Sequence, residues 1–128
     1  MRFYNPEGVA GPFATYSHGV ELEGPHRLVF GAGQVGVAPD GRVGEGIEEQ
    51  ARLVWDNIRK VLDGAGMGIP NIVQLNMLLI DRAHAPAAMA IREEALAGHR
   101  PASTLMYVAG LASPELLIEI DFVAAQPV

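Results

Sequence analysis

Ile72-Val73-Gln74-Leu75-Asn76-Met77-Leu78-Leu79-Ile80 is the stretch on which the fold turns. Val73, Leu75, Met77 and Leu79 form an unbroken apolar row along one face of a strand, while Gln74 and Asn76 interrupt Ile72, Leu78 and Ile80 on the other. One face is expected to pack on helices and the other to meet something more polar. On both sides of this strand the hydrophobic period changes from two to between three and four. From Gly46 to Asp63 the apolar positions Ile47, Ala51, Val54, Ile58 and Val61 recur at helical spacing, with Trp55 and Leu62 widening the stripe. Gly64, Gly66 and Gly68 stop that helix. A second helix is predicted from about Ala85 to Ala97, with Pro86 near its first position, Ala88, Ile91 and Ala95 on one face beside Met89 and Leu96, and Gly98 at its end.

Further strands are predicted at Tyr16 to Leu22, Arg27 to Ala32, Ser103 to Ala109 and Leu116 to Ala124, with a weaker one at Arg2 to Tyr4. Glu23-Gly24-Pro25 and Pro39-Asp40-Gly41 are turns. Strands, helix, strand, helix, strands is the order of an α+β domain, with both helices on one face of a mixed sheet. No repeat or linker divides the chain, so residues 1–128 form a single domain.

Composition narrows the function. Nine Lys and Arg against fifteen Asp and Glu leave a net charge of −6, and the basic residues are scattered, which argues against nucleic acid and polyanionic ligands. Hydrophobic residues make up 49% of the chain and charged ones only 19%; so low a charge fraction predicts that part of the surface is covered by another subunit. There is no Cys, hence no disulfide and no thiolate nucleophile. Without a signal-like start or an apolar run of about 18 residues, a cytoplasmic protein with no membrane partner is expected.

Gly31-Ala32-Gly33-Gln34-Val35-Gly36 matches the dinucleotide fingerprint letter by letter but leads into a turn rather than a helix, so no cofactor is expected there. Gly33 is retained as a place where a ligand can approach the backbone. His18, His26, His84 and His99 show no metal-ligand spacing, and no metal is expected. Strand alternation sets His18 on the same face as Tyr16, where a phenol and an imidazole can shuttle protons or simply pack together. Glu119 and Asp121 share a face of the last strand, opposite the apolar row Ile118, Ile120 and Phe122; they are either solvated or buried at an interface. Ser103 and Thr104 enter a strand without a nucleophile elbow, so their hydroxyls are expected to bond locally.

Taken in order, Tyr16-Ser17-His18-Gly19-Val20, Ala32-Gly33-Gln34, Gln50-Ala51, Asn57-Ile58, Asp81, Pro101-Ala102 and Ile118-Glu119-Ile120 resemble the YjgF/RidA family of reactive intermediate deaminases. The resemblance runs from about Asn5 to Ala124. It implies the chorismate mutase-like fold and a homotrimer whose sheets face inward, with ligand clefts between adjacent subunits. In the deaminating members an arginine after the Pro-Ala pair grips a substrate carboxylate and a glutamate positions the attacking water. By that resemblance Glu119 is the glutamate, Tyr16 the site tyrosine and Gly33 the site glycine. Ser103 stands in place of the arginine, and a serine offers no charged fork. Leu105 replaces a frequent Cys, Met89 a frequent Asn, Ala32 a Ser and His18 a Gln.

The resulting expectation is a Rid-like hydrolase that acts on an imine, an enamine or a related reactive intermediate lacking the usual carboxylate. Glu119 activates water, Tyr16 or His18 donates a proton, and Gly33, Ser103, Thr104, Leu105 and Met89 bind the substrate. Arg92 or Arg100 can supply a guanidinium from elsewhere, with Arg92 equally readable as a solvated helix residue and Arg100 as a loop residue. The alternative is a non-catalytic trimer that binds a small metabolite. A ribonuclease ranks third because of the acidic balance.

Overall fold

A computed structural model describes residues 1–128. The strand Ile72–Leu79 lies inside a four-stranded sheet, with its apolar row Leu75, Met77 and Leu79 in the core. In chain order the strands are β1 (Arg2–Tyr4), β2 (Gly19–Glu21), β3 (His26–Val35), β4 (Ile72–Leu79), β5 (Ala102–Tyr107) and β6 (Ile118–Pro127), and the helices are α1 (Gly46–Asp63) and α2 (Ala85–Leu96). The sheet order is β3-β6-β4-β5; β4 and β5 are parallel and the other pairs antiparallel. The parallel pair needs a crossover, which α2 supplies. β1 and β2 form a separate antiparallel pair.

Both helices pack on one face of the sheet. Ala51, Val54, Trp55, Ile58 and Leu62 of α1 and Ala88, Ile91, Ala95 and Leu96 of α2 meet Leu75, Met77, Leu79, Ile118, Ile120 and Phe122 in one core. Truncating a fully enclosed member such as Ile58 to Ala would cost about 2–5 kcal/mol. The buried stripe of α1 is the expected one except at its end, where Val61 is exposed and Leu62 alone turns inside. The start of β4 also differs. A register shift between Ile72 and Gln74 leaves Val73 as the extra residue and turns Ile72 into the core.

One buried polar side chain ties the layers together. Gln50 of α1 donates to the carbonyls of Gly44 (3.0 Å) and Glu115 (2.8 Å) and accepts from the Leu117 N–H (2.8 Å), so it anchors the entry to β6. Gly36 is a glycine because a β-carbon there would meet the Gln50 backbone at 2.6 Å. Asn57 donates to the carbonyls of Val35 and Val37, holding the end of β3 on the same helix.

Several strand boundaries depart from expectation; β5 runs from Ala102 to Tyr107 and does not reach Ala109. Only Gly19–Glu21 of the Tyr16 to Leu22 segment pairs as a strand. β3 runs on through the glycines to Val35, and β6 runs from Ile118 to Pro127. In β3, Gly31 pairs with Phe122 and Gln34 with Ile120, so Ala32 and Gly33 together face Asp121 as a bulge. The fingerprint-like glycines thus lie in a bent strand, and no helix follows them directly.

The far face of the sheet has no cover within the chain. Phe30 is 75% exposed there, with Leu28 and Met106 also open to solvent. No helix is long and apolar enough to cross a membrane.

Candidate active site

The segment before β2 is fastened to the start of β5. Ser17 is buried, its N–H donates to the Pro101 carbonyl (3.1 Å) and its hydroxyl to the Arg100 carbonyl (2.6 Å), and it forms a parallel bridge with Ala102. The tie holds the Tyr16 segment along the entry to β5, and Tyr16 and Ser103 line the same cavity. In parallel pairing Ser103 lies beside Leu75 and Leu105 beside Met77, so Ser103 and Leu105 point to the helix side of the sheet.

A cavity of about 470 Å³ opens at that edge, lined by Phe13, Ala14, Tyr16, Met77, Met89, Arg92, Ser103, Thr104 and Leu105. Its volume suits a small molecule. The walls are mostly apolar, with a few polar groups converging from the Tyr16 loop, β5 and α2. Five of the residues expected to bind or transform substrate therefore meet in one place: Tyr16, Met89, Ser103, Thr104 and Leu105.

His18 stands outside that cavity. Its Nε2 lies 2.6 Å from the Ala10 carbonyl, which can only accept, so Nε2 carries the proton. The ring packs edge to face on Tyr16 at 5.7 Å between centroids. In this chain His18 braces the tyrosine and the 10–18 loop. Its other surface lies in a separate depression with Gln74, Ala102 and Val123.

Glu119 and Gly33 form a second group. Glu119 pairs across the sheet with Leu78 on β4 and Val35 on β3, on the face turned away from the helices, half-buried and with no hydrogen bond to its carboxylate from the chain. The carboxylate lies over Gly33 in the bulge, where a β-carbon would collide with it. The open backbone expected at Gly33 for a ligand is thus occupied by Glu119. Neither residue lines the Tyr16 cavity. Nearby, Asp121 accepts a hydrogen bond from Asn76 (2.9 Å), so this second carboxylate is engaged.

Of the two readings open for Arg92, a guanidinium at the site or a solvated helix residue, the solvated one is excluded. Arg92 is only 1% exposed and lies on the cavity wall. Its Nη1 donates to Glu93 at 2.9 Å, and Glu93 also accepts from the Thr15 hydroxyl. Burial pushes the guanidinium below its ordinary pKa, against the pull of Glu93. The signal was in the spacing: Arg92 follows Ala88 by four and Met89 by three, which sets it on the edge of the buried face of α2. Arg100 is exposed and outside the cavity. Met77, Phe13 and Ala14 were also missed as lining residues. Met77 was read as core, which it is on its other side.

Comparison with known proteins places this geometry. A family model described as Endoribonuclease L-PSP matches residues 8–126. Protein HMF1 of Saccharomyces cerevisiae is 30% identical over 106 residues, covering 82% of this chain and 80% of that protein. TdcF of Escherichia coli, named provisionally as a reactive intermediate deaminase, is 29% identical over 72 residues, 56% of this chain and 54% of TdcF. A crystal structure of YyfB from Yersinia pestis, described as a Rid family protein of unknown function, is 34% identical and superposes with a TM-score of 0.85, covering 98% of both chains.

Proposed function

Because the chain belongs to the YjgF/RidA family, we propose that it is a Rid-like deaminase working in clefts between the subunits of a homotrimer. The reaction is hydrolysis of a small imine, or of an enamine through its imine tautomer. Water adds across C=N, the carbinolamine collapses, and a ketone or aldehyde leaves with ammonia.

One observation carries this reading: the two halves of the catalytic set lie on opposite faces of the same sheet. Tyr16, Met89, Ser103 and Leu105 are on the helix side at the β5 edge, and Glu119 with Gly33 is on the uncovered side. A chain cannot close such a site on itself. A neighbouring copy that laid its Glu119 face against the Tyr16 edge would complete it, and the contact, being head-to-tail, would close into a ring. The exposed Phe30, Leu28 and Met106 favour the same burial of the sheet face.

In the assembled cleft Glu119 takes a proton from water, which the free lone pairs of its carboxylate allow. Tyr16, held by the Ser17 ties and the His18 ring, donates toward the imine nitrogen. Ser103 and Leu105 leave the β5 wall uncharged, so specificity differs from that of members with an arginine there. The expectation of a carboxylate-free substrate assumed that no guanidinium was at hand; with Arg92 on the cavity wall that assumption no longer stands.

The test is ammonia release from freshly generated imines by wild type, Glu119→Ala and Tyr16→Phe, and by the two variants mixed after subunit exchange. Each variant alone should be nearly inactive. A random mixture leaves about one cleft in four with both intact halves, so about a quarter of wild-type activity should return. Full activity in Glu119→Ala, or no recovery on mixing, would overturn the proposal.

A further inference from the structure

We propose that Arg92 is the anion-holding residue of the cleft, gripping the carboxylate of the ligand from α2 instead of from β5. This rests on the Tyr16 cavity being the ligand site, as proposed above.

Arg92 is an expensive residue for its position. It is enclosed between α2 and the sheet edge at 1% exposure, and an apolar side chain would fill that space without desolvating a charge. Its protein partner is Glu93, bonded through Nη1 alone. The guanidinium carries donors on three nitrogens in a rigid fork, so most of its N–H groups have no protein acceptor. Those free donors keep a little accessible surface rather than being sealed in, and the space beside them is the cavity shared with Tyr16 and Ser103.

The surroundings specify the anion. Glu93 already offsets much of the positive charge, and Thr15 holds that carboxylate toward the 10–18 loop. What remains suits a planar, singly charged carboxylate taken by the fork, and a dianionic phosphate would meet Glu93 and a chain of net charge −6. Met77, Met89, Leu105 and Phe13 give the wall its bulk of apolar surface. The ligand class is therefore a small carboxylic acid with an apolar tail. The hydroxyl of Ser103 then faces the middle of the molecule and leaves the charge to α2.

The experiment is equilibrium binding, by ligand-detected NMR and calorimetry on the assembled protein, of 2-oxopentanoate, its neutral amide and inorganic phosphate. Wild type should bind the acid at least tenfold more tightly than the amide, with phosphate weaker than the acid. Arg92→Met should abolish the preference, and Arg92→Lys should keep only part of it, having charge without the fork. Glu93→Gln should strengthen acid binding severalfold by releasing the guanidinium, an effect that a purely structural Arg92 would not produce and one that does not depend on Arg92→Met folding. Equal or absent binding of acid and amide, an undiminished preference in Arg92→Met, or tighter binding of phosphate overturns the inference. Ammonia release is not part of this readout. A protein that prefers the acid yet hydrolyses no imine would retain the Arg92 site and lose the deaminase reading; an active deaminase without the preference would do the reverse.

Discussion

The carboxylate of Glu119 lies across Gly33, close enough that a single β-carbon at residue 33 would overlap it. The bulge that holds Ala32 and Gly33 opposite Asp121 brings the β3 backbone to this point. Glycine is needed there for the side chain on the neighbouring strand, which makes Gly33 a positioning residue for the proposed base. Gly33→Ala should leave the fold intact and drive the carboxylate aside. Displacement of about 1 Å costs on the order of 100-fold in rate. A kcat reduced to that extent, with unchanged circular dichroism, is expected; unaltered turnover would show that the close approach has no catalytic role.

Phe30 tests the assembly. Its exposure on a face that also carries Leu28 and Met106 is unusual for a lone chain. Wild type should sediment at about three times the 13.6 kDa of one chain, and Phe30→Lys should shift it toward the monomer and abolish ammonia release together. A wild-type monomer with full activity would rule out shared clefts.

Ala97 follows α2 in the left-handed region, with φ of 49°, and Gly98 continues at φ of 88°. A β-carbon is disfavoured at Ala97. Ala97→Gly should raise stability by about 0.5–1 kcal/mol, read as a higher urea midpoint at unchanged slope. A lower midpoint would mean that chain entropy outweighs the relief.

At the start of α1 the Glu49 carboxylate accepts from the Glu45 N–H (3.0 Å) and pairs with Arg42 (2.6 Å). Chiefly the backbone hydrogen bond, and then Arg42, hold its pKa below the ordinary carboxylate value. A lowered folded-state pKa adds stability above the unfolded value, and that addition disappears as pH falls through the folded one. Glu49→Gln should therefore melt below wild type near neutrality, and the two should converge in acid below the ordinary carboxylate range. The pair is open to solvent, so the gap is small; a gap independent of pH would assign it to shape rather than charge.

Much of this molecule was legible because its strongest signals are periodic. Trp55, Ile58 and Leu75 announce their elements through spacing alone, and the order of elements gave the α+β class. Boundaries were lost where spacing fails. The β3 bulge breaks alternation at Ala32 and Gly33, and Ala124-Ala125-Gln126-Pro127 at the end of β6 shows no period of two. Tyr16 to Leu22 alternates like a strand, yet its first part is held by Ser17 bonding to the start of β5 rather than by a continuous ladder. The site divided in the same way. Glu119, Tyr16 and Ser103 could be singled out along the chain, but their distribution over two faces, and the burial of Arg92, depend on three-dimensional register that spacing only hints at.

The Ser17 ties have a kinetic consequence. They join residue 17 to residues 100–102, across more than 80 positions of chain, and closing so long a loop is favourable only after β4, α2 and β5 have come together. The Tyr16 wall should therefore be among the last parts to form during folding. By the same token its amides should exchange with solvent well ahead of those of β4 and β6, so that under stress the cleft opens while the core still holds.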